Sequence, residues 1–303
     1  MIKFSIIIPT YNRPLFLQRA IQSVLNQKYQ NFEIIVIDDC STNENNEQNI
    51  EICKSDKRIR YIHLEQNNKQ CHARNVGLKY ATGNWIRYLD DDDFLLEDCL
   101  SIYVKHILKN KNINVFTTQY KFNDVIVGTD VTKLSSIFNT WDFDTCSIIH
   151  HIDCYKKLGG WREDLSAFDD YEFILRYIYN NKSQYRFINE VCGMFDFNVT
   201  NSYCVNNKTN WIDCIKKIAS IYNRDKSLKS MLIVTNDIDA KLTKSAYNLN
   251  CFLDIDIDID DGKQYDYIYH YNDGSLLTEF ENLNYDDKFR VKQKGKDILQ
   301  KMK

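Results

Sequence analysis

Apolar and polar positions in the first ~110 residues follow two alternating patterns. Short runs rich in β-branched residues are typical of buried strands, and the segments between them carry apolar residues at helical spacing. The strand-like runs are KFSIIIPT, FEIIVIDD, RIRYIHL and NWIRYLDDDD. The helix-like segments are PLFLQRAIQSVLNQ, the residues around Ile50, CHARNVGLKYATG and LEDCLSIYVKHILKN. We expect the third of these helices to end at Gly83. Strands that alternate with helices predict a parallel sheet covered by helices on both faces.

The pattern changes in the second part of the chain. NVFTTQYKF, TCSIIHH and QYRFINEVCGMFDF have strand-like patterns, and AFDDYEFILRYIYN has one apolar helical face. These segments predict a mixed sheet that continues the same domain. Further along, TNWIDCIKKIASIY and DAKLTKSAYNLNCF predict helices, whereas KQYDYIYHYNDGS predicts a strand and a turn.

Polar residues follow three of the predicted strands, in the segments PTYNR, DDCST and DDDD. Because ligands bind at the carboxyl ends of strands in such sheets, these segments are candidates for one site. Four consecutive aspartates, Asp90 to Asp93, repel one another. Such a run either complements the dipole of a following helix or holds a metal ion. Its position, level with two other polar strand ends, favours the metal.

Composition limits the other functions that we consider. A chain of 303 residues allows one large domain or one domain with an extension. The net charge of −3 gives no general attraction to nucleic acid. Ten cysteines without a CxxC pair are typical of reduced thiols, and we find neither a signal-peptide cleavage region nor an apolar segment long enough to span a bilayer. We therefore expect a cytoplasmic protein.

Three segments carry a resemblance to a known family. FSIIIPTYNRPLFLQRAIQSVLNQKYQNFEIIVIDDCS, ARNVGLKYATGNWIRYLDDDD and GGWREDLSAFDDYEF, in this order, resemble the inverting family 2 glycosyltransferases of GT-A fold. The resemblance implies an α/β GT-A domain at 1–205, with a Rossmann-like nucleotide-binding half at 1–110 and a mixed acceptor-side sheet at 111–205. The pattern predicts a mostly helical extension at 206–303, with acceptor, membrane or oligomer contact as its candidate roles.

The resemblance also implies an activity, which is transfer of a sugar from a UDP-sugar to a hydroxyl of a glycan or of a lipid-linked saccharide. Such transfer belongs to the synthesis of surface polysaccharides or glycoconjugates. A nucleotidyltransferase is an alternative, but PTYNRP lacks the glycine-rich loop that it would need. A non-catalytic sugar-nucleotide binder is a second alternative, although both acidic motifs are present.

The nucleotide-binding residues implied by the resemblance come from four segments. Pro9, Thr10, Tyr11 and Arg13 would line the uridine pocket. Asp39 would accept a hydrogen bond from the base, and Asp38 would support it. Arg74 would reach the nucleotide, and Asp90 and Asp91 complete the set. Each also has a simpler interpretation. Tyr11 would be an exposed aromatic residue, Asp38 and Asp39 helix caps, and Arg74 a surface arginine.

The D-x-D motif of the family aligns with Asp90 to Asp92. We expect Asp92 to be the direct metal ligand, Asp90 a supporting or water-mediated one, and Asp93 a cap for the next helix. Hard carboxylate oxygens suit Mn2+ or Mg2+, which bridges to phosphates. The cation would stabilise the charge that develops on a departing nucleoside diphosphate.

The catalytic base of the family aligns with Asp170, in the pair Asp169–Asp170 after GGW. A base must take the proton from the acceptor hydroxyl, and a helix N-terminus favours its ionised form. Asp169 stands where the family usually has glutamate. A plain pair of acids at a helix N-terminus is the alternative. Trp161 would either stack on an acceptor sugar or belong to the core.

Several features have weaker meaning. The family often has a histidine after the base, and MFDFNVTNSY has none, so Asn198 or Asn201 is the candidate replacement. His150 and His151 lack the spaced carboxylates of a metal site. DIDIDID alternates like an edge strand rather than a calcium loop. The basic tail DKFRVKQKGKDILQKMK favours a solvated terminal helix, and peripheral contact with an anionic membrane is the alternative.

Overall fold

The structure of the protein is a computed structural model. It describes residues 1–122, 125–128, 145–165, 169–180 and 182–195, and six strand segments between residues 229 and 301. The chain divides into two compact units. The first comprises Met1–Asp130, Asp142–Leu165 and Asp169–Asn206, and the second comprises Val131–Trp141, Ser166–Phe168 and Asn207–Lys303. The predicted domain boundary near residue 205 stays a prediction.

The amino-terminal half has the predicted alternation of strands and helices. Its elements are β1 (Phe4–Thr10), α1 (Pro14–Leu25), β2 (Phe32–Asp38), α2 (Asn43–Cys53), β3 (Ile59–His63), α3 (Lys69–Tyr80), β4 (Trp85–Tyr88), β5 (Phe94–Leu95) and α4 (Cys99–Lys109). Strands β3, β2, β1 and β4 are neighbours in this order and run parallel. The parallel sheet expected for this half is confirmed.

The sheet continues with antiparallel pairs. Its elements are β6 (Val115–Phe122), β7 (Val125–Val127), β8 (Ile148–His151), α5 (Ile152–Leu158), α6 (Asp169–Asn180) and β9 (Tyr185–Phe195). The order after β4 is β8, β6, β9 and β5, and β7 pairs with β6. β8 is antiparallel to both β4 and β6, whereas β6 and β9 are parallel. This arrangement confirms the mixed sheet predicted for the second half.

Alternate residues of the central strands face two separate layers, because successive side chains of a strand point to opposite faces. Phe4, Ile6 and Ile8 of β1 lie in one buried cluster with Leu17 of α1 and Leu100 of α4. On the other face, α3 packs closely against β1 and β2. A Cβ atom added at Gly77 of α3 would lie only 2.5 Å from Ile7. The glycine therefore lets α3 approach the sheet and brings its side chains to the strand ends.

Two boundaries differ from the sequence expectation. Helix α3 ends at Tyr80 rather than at Gly83. Gly83 is needed instead for a close approach to β1, because an added Cβ would lie 2.7 Å from the Lys3 carbonyl oxygen. Asp93 does not cap the next helix, because strand β5 follows it and α4 starts after Asp98. Sequence periodicity does not distinguish a strand of two residues from the segment that leads into a helix.

The second unit contains β10 (Lys229–Val234), β11 (Cys251–Asp256), β12 (Gln264–His270), β13 (Ser275–Asn284), β14 (Phe289–Arg290) and β15 (Gln300–Lys301). One sheet has the order β11, β10, β12, β13, and β14 pairs with β15. The strands predicted in DIDIDID and KQYDYIYHYNDGS are confirmed where the structure describes them.

The mostly helical extension is wrong for the described residues of this region, all of which are strands. The terminal helix of the basic tail is wrong at β14 and β15 for the same reason. Of the two predicted helices, TNWIDCIKKIASIY lies outside the described residues. The second extends into Cys251 and Phe252, which belong to β11. Alternating aromatic and polar residues, as in QYDYIYH, favour a strand over a helix.

Two findings concern the described part of the chain. Within the described ranges, no helix has the length and apolar character needed to cross a bilayer. Six cysteines are free thiols, namely Cys40, Cys53, Cys71, Cys99, Cys154 and Cys192. This agrees with the reduced state predicted for these six thiols.

Candidate active site

The end of β1 contacts both the end of β2 and the acidic turn after β4. The backbone N–H of Asp39 donates to the Thr10 carbonyl oxygen at 2.9 Å. The Thr10 hydroxyl donates to Oδ2 of Asp91 at 2.7 Å, in a buried position. The three polar strand ends predicted from the sequence are therefore joined at one edge of the sheet. We call the four residues Asp90 to Asp93 the acidic turn.

Three residues without glycine's freedom adopt left-handed backbone conformations beside this edge. They are Asn12 after β1, Cys40 after β2 and Lys69 at the start of α3, with φ values of 55°, 70° and 70°. Such conformations are uncommon for L-residues and need surrounding contacts to hold them. For Asn12 that support is visible, since its Oδ1 accepts a hydrogen bond from the Thr42 backbone N–H at 2.8 Å.

Asp38 is a fully buried anchor rather than a ligand-facing acid. Its carboxylate accepts hydrogen bonds from the Ser41 backbone N–H at 2.7 Å, from Nδ2 of Asn49 at 2.8 Å and from the Tyr61 hydroxyl. These contacts join the end of β2 to α2 and β3. The predicted support of Asp39 by Asp38 stays a prediction.

Asp39 caps the start of α3. Its Oδ1 accepts from the Asn68 backbone N–H at 2.9 Å, and its Oδ2 accepts from the Lys69 backbone N–H at 2.7 Å. The first N–H groups of a helix lack partners within the helix, so a carboxylate at this position stabilises it. The helix-cap interpretation of Asp39 is confirmed, and its predicted contact with a nucleotide base stays a prediction.

The carboxylates of the acidic turn have different partners. Asp90 accepts from Nη2 of Arg74 at 2.6 Å, and Asp91 accepts from the Thr10 hydroxyl. Nη1 of Arg13 donates to Asp92 at 2.9 Å and, at the longer distance of 3.4 Å, to Asp91. Asp91 is buried, whereas the side chains of Asp90 and Asp92 are 28% and 24% exposed. Asp90 and Asp92 are therefore the members of the turn that a ligand can reach.

Burial and mutual repulsion make this turn electrostatically costly. Burial raises the pKa of Asp91 to about 7, and the neighbouring charge of Asp92 acts in the same direction. Burial and the charge of Asp90 also raise the pKa of Asp92. Burial alone would lower the pKa of Arg13, but attraction to Asp91 and Asp92 raises it. The turn therefore favours additional positive charge.

A divalent cation fits the chemistry of this turn. Mg2+ and Mn2+ prefer carboxylate oxygens, and Mg2+ usually takes one or two protein carboxylates and completes its shell with phosphates and water. Asp92 and Asp90 supply two accessible carboxylates of this kind. Within the described residues, no cluster of three or more histidine, cysteine or acidic residues could hold a metal by itself. The residues thus fit an ion that is shared with a phosphate ligand.

Arg74 joins the acidic turn to α6. Its Nη1 donates to Oδ2 of Asp169 at 3.0 Å, in addition to the bond from Nη2 to Asp90. The side chain is 1% exposed, so the interpretation as a surface arginine is wrong. Burial alone would lower the pKa of Arg74, but the charges of Asp90 and Asp169 raise it above its ordinary value. The predicted contact of Arg74 with a nucleotide stays a prediction.

Asp169 and Asp170 form the first turn of α6, as the motif predicts. Asp169 is 5% exposed. Its carboxylate also accepts from Nε2 of Gln70 at 3.1 Å and from the Cys71 thiol at 3.1 Å. Asp170 is only partly buried. Of the two acids, Asp170 is therefore the one with surface open to a substrate.

Trp161 belongs to the core. It is 3% exposed, its ring lies parallel to Phe173 at 4.2 Å, and the Arg74 guanidinium lies 4.3 Å from its centroid. Both contacts use the ring faces on which an acceptor sugar would stack. The acceptor role predicted for Trp161 is therefore wrong in this structure, and its alternative interpretation as a core residue holds.

The remaining predicted residues divide by exposure. Pro9 is buried within β1, whereas Tyr11 is 46% exposed beyond the strand end. His150 is a buried core residue whose Nε2 lies 3.1 Å from the Tyr88 hydroxyl. The candidate replacements for the family's histidine, Asn198 and Asn201, lie outside the described residues.

Three residues of the site were missed by the sequence interpretation. Arg19 donates to the backbone carbonyl oxygen of Asp92, and Gln70 and Cys71 donate to Asp169. A signal was present for the last two. Gln70 lies four positions and Cys71 three positions before Arg74, and residues at both spacings are neighbours on a helix surface. Nothing in the local sequence indicated that this face meets an acid 98 residues away from Cys71.

Comparison with known proteins now defines the class of this chain. Residues 5–168 match the family described as Glycosyl transferase family 2, which is more than half of the chain. The chain therefore belongs to glycosyl transferase family 2. The resemblance stated from the three sequence motifs is confirmed.

Relatives share the amino-terminal part of the chain. An uncharacterized glycosyltransferase of Rickettsia felis is 45% identical over 122 residues, which cover 40% of this chain and 20% of that protein. An Escherichia coli protein named as a UDP-Glc:alpha-D-GlcNAc-diphosphoundecaprenol beta-1,3-glucosyltransferase is 36% identical over 137 residues, which cover 45% of this chain and 53% of that protein. The matched part of this chain spans roughly a fifth to a half of these relatives.

A solved structure supports the fold. The Staphylococcus aureus TarS fragment 1–349, in complex with UDP-GlcNAc, matches with a TM-score of 0.62 at 21% identity. The match covers 74% of this chain and 68% of that chain. Together with the curled, mainly parallel sheet, this likeness confirms the expected GT-A fold.

Proposed function

We propose that this chain transfers a sugar from a UDP-sugar to a hydroxyl group of a glycan or of a lipid-linked saccharide, with inversion at the anomeric carbon. The observation that carries the proposal is the buried Arg74 guanidinium, 2.6 Å from Asp90 and 3.0 Å from Asp169. Acids of the acidic turn and of α6 thus meet at one side chain, as a donor site and a catalytic base in one cleft require.

The relatives support the choice of substrate classes. The Escherichia coli relative is named for a UDP-glucose donor and a diphosphoundecaprenol-linked acceptor. These names favour UDP-sugars as the first donors to test and lipid-linked saccharides as the first acceptors. Fold alone would not do so, because function depends on the site and not on the fold.

In the proposed reaction, Asp170 takes the proton of the acceptor hydroxyl as its oxygen attacks the anomeric carbon. The new carbon–oxygen bond forms as the bond to the UDP phosphate oxygen breaks, and UDP departs with the bonding electron pair. A divalent cation held by Asp92 and Asp90, Mn2+ or Mg2+, would stabilise the charge of that departing diphosphate.

The nucleotide would occupy the edge formed by β1, β2 and the acidic turn. Tyr11 is exposed enough to stack on a base, and Arg13 is 31% exposed and carries a charge that suits a diphosphate. We propose 1–205 as the transferase domain and 206–303 as the segment for acceptor, membrane or oligomer contact. This activity would be cytoplasmic, at or near the inner face of a membrane.

A panel of nucleotide sugars tests the proposal. We expect release of UDP from at least one UDP-sugar, dependent on Mn2+ or Mg2+ and stimulated by an acceptor saccharide. GDP- and CMP-sugars serve as controls for the nucleotide. If no nucleotide sugar is bound or turned over, glycosyl transfer is excluded for this chain. If one is bound but never transferred, the non-catalytic alternative is favoured.

Two variants separate the roles of the acids. We expect Asp170→Asn to lower turnover by about 10²–10⁴-fold while UDP affinity stays unchanged, because a general base acts only in the chemical step. Asp92→Ala should weaken UDP binding in the presence of Mn2+. Calorimetry with UDP and Mn2+, beside turnover measurements, checks both. Asp153→Asn, at an exposed acid in the first turn of α5, is the matched control. Full turnover by Asp170→Asn would remove the base assignment.

A further inference from the structure

The acid before the proposed base is held by one face of α3. Nε2 of Gln70, the thiol of Cys71 and Nη1 of Arg74 all donate to Asp169, at 3.1, 3.1 and 3.0 Å. Gln70 and Arg74 are spaced i, i+4, and Cys71 and Arg74 are spaced i, i+3, so both lie beside Arg74 on the helix surface. An ionised carboxylate accepts several hydrogen bonds, so Asp169 can satisfy all of them together. The first turn of α6 is thereby fixed to α3.

The arginine in this contact is itself fixed from several directions. Arg74 is 1% exposed and bonds Asp90 at 2.6 Å, and its guanidinium lies 4.3 Å from the Trp161 ring. Trp161 stacks on Phe173, a residue of α6. Asn75, the next residue of α3, accepts from the Trp161 backbone N–H at 2.7 Å and donates to its carbonyl oxygen at 2.8 Å. The guanidinium therefore has little freedom to move relative to α6.

These contacts connect the two halves of the proposed reaction. One guanidinium bonds Asp90, in the acidic turn that would hold the cation, and Asp169, next to the proposed base. A shift of α6 would break the bond to Asp169, and a shift of the acidic turn would break the bond to Asp90. Because the charge of Arg74 is buried, losing either carboxylate is costly, so both distances are kept.

We propose that Asp169 is a positioning residue, and that the Asp90–Arg74–Asp169 bridge sets the distance between the departing diphosphate and the base Asp170. The inference rests on the proposed function. It differs from the sequence expectation, which grouped Asp169 with Asp170 as catalytic. It also gives Arg74 a role within the protein, beside the predicted contact with the nucleotide.

The expected effect of losing the contact is on turnover. Asp169→Asn keeps the shape of the side chain and removes its charge. We expect kcat to fall about 10–100-fold, since small displacements of a catalytic group cost rates of this size. We expect the donor KM at saturating Mn2+ to stay within about threefold. Asp169→Glu, which restores the charge and the residue usual in the family, should recover most of kcat.

The pH dependence separates positioning from a purely structural role. Removing the negative charge of Asp169 leaves the Arg74 charge less compensated near Asp170, which favours ionised Asp170. The acidic limb of the kcat profile should therefore move to lower pH in Asp169→Asn. A variant that merely folds less well would lose active protein without moving this limb. Asp153→Asn, an acid in the first turn of another helix, should change neither kcat nor the profile.

Two results would overturn the proposal. Asp169→Asn with wild-type kcat and an unmoved acidic limb would show that the bridge has no effect on the reaction. Complete loss of transfer at every pH, with normal UDP affinity and melting temperature, would make Asp169 the base itself.

Gln70→Ala provides a second variant if Asp169→Asn does not fold, because it removes one donor at an exposed position. We expect a smaller fall in kcat for it with the same unchanged donor KM, and no fall would contradict the proposal.

A measurement without turnover keeps this test separate from the proposed function. If the wild-type chain transfers no sugar, the proposed function fails first. Melting temperatures of Arg74→Lys, Asp169→Asn and the double variant then test the bridge alone. We expect the losses to be less than additive, because both changes break the same contact. Additive losses would show that the two residues act independently and would overturn the bridge.

Discussion

Arg13 and Arg74 both pair with carboxylates of the acidic turn, and they differ in exposure and in their other contacts. Arg13, after β1, bonds Asp92 at 2.9 Å with 31% of its side chain exposed. Arg74, in α3, bonds Asp90 at 2.6 Å with 1% exposed. The two carboxylates are similarly exposed, but the Arg13 guanidinium is partly open to water and ligands, whereas the Arg74 guanidinium is enclosed and also bonds Asp169 of α6. The acidic turn thus has an outer end that can exchange partners and an inner end that is fixed.

This difference assigns different tasks to similar ion pairs. Exposed pairs contribute little to stability, because water and salt screen them. Removing one member of a buried pair leaves an uncompensated charge and costs much more. The outer arginine is therefore suited to ligand exchange, and the inner one to holding the frame.

The largest expected effect is on the inner pair. Arg74→Ala leaves Asp90 and Asp169 without their shared cation, and we expect the free energy of unfolding to fall by about 3–5 kcal/mol. Urea unfolding measures this loss. The matched control is Arg58→Ala, because Arg58 also bonds an acid at 2.7 Å and lies 4.3 Å from an aromatic ring, Phe32, but is 26% exposed. A loss at Arg74 no greater than at Arg58 would contradict the distinction.

The second-largest effect concerns the buried histidine His150. His150 lies among the rings of Tyr88, Phe173 and Tyr177, and burial lowers its pKa from 6.5 to about 3. The unfolded histidine takes up a proton below pH 6.5, whereas the buried one stays neutral until about pH 3. The stability that it contributes is therefore present above pH 6.5 and is lost as the pH falls towards 3.

Measuring unfolding at two pH values tests whether burial keeps His150 neutral. Between pH 7 and pH 4, we expect the free energy of unfolding of the wild type to fall by about 3 kcal/mol more than that of His150→Phe. The phenylalanine ring fits among aromatic neighbours but does not titrate. Equal pH dependence in both proteins would show that His150 is not held neutral by burial.

The smallest effect is expected at the outer end. Arg13→Gln removes the cation beside Asp92, and we expect Mn2+ affinity without nucleotide to rise by up to about fivefold, the equivalent of an exposed ion pair. The free energy of unfolding should change by less than about 1 kcal/mol. Calorimetry and urea unfolding measure the two quantities. Arg162→Gln is the control, because Arg162 is 30% exposed and also paired with an acid. Weaker Mn2+ binding by Arg13→Gln would contradict an exchangeable outer end.

Local patterns predicted most elements of the first unit. Apolar spacing predicted α1, and its buried residues have this helical spacing, namely Leu17, Ala20, Ile21 and Val24. The motif around Asp169 predicted the start of α6. Such features depend on neighbours in the sequence, whose spacing is visible there. In the second unit, the alternation of aromatic and polar residues in QYDYIYH correctly predicted β12, whereas the helix predicted for the basic tail is wrong at β14 and β15.

Partners across the fold could not be predicted in the same way. The motifs suggested that Arg74 and Asp169 belong to one site, but not that they bond each other across 95 positions. Likewise, Trp161 fitted either a sugar platform or a core residue, and only the packing of Arg74 and Phe173 decides between them. These outcomes depend on how α3 and α6 meet, which no local pattern contains.

The central claim is that acids from distant segments form one site for a divalent ion and UDP. Anomalous diffraction from crystals grown with UDP and Mn2+ tests it most directly. We expect one strong manganese peak that contacts Asp92, with Asp90 nearby, and the UDP diphosphate, while the uridine lies beside Asp39. A manganese ion or a UDP molecule bound away from the acidic turn would contradict the claim.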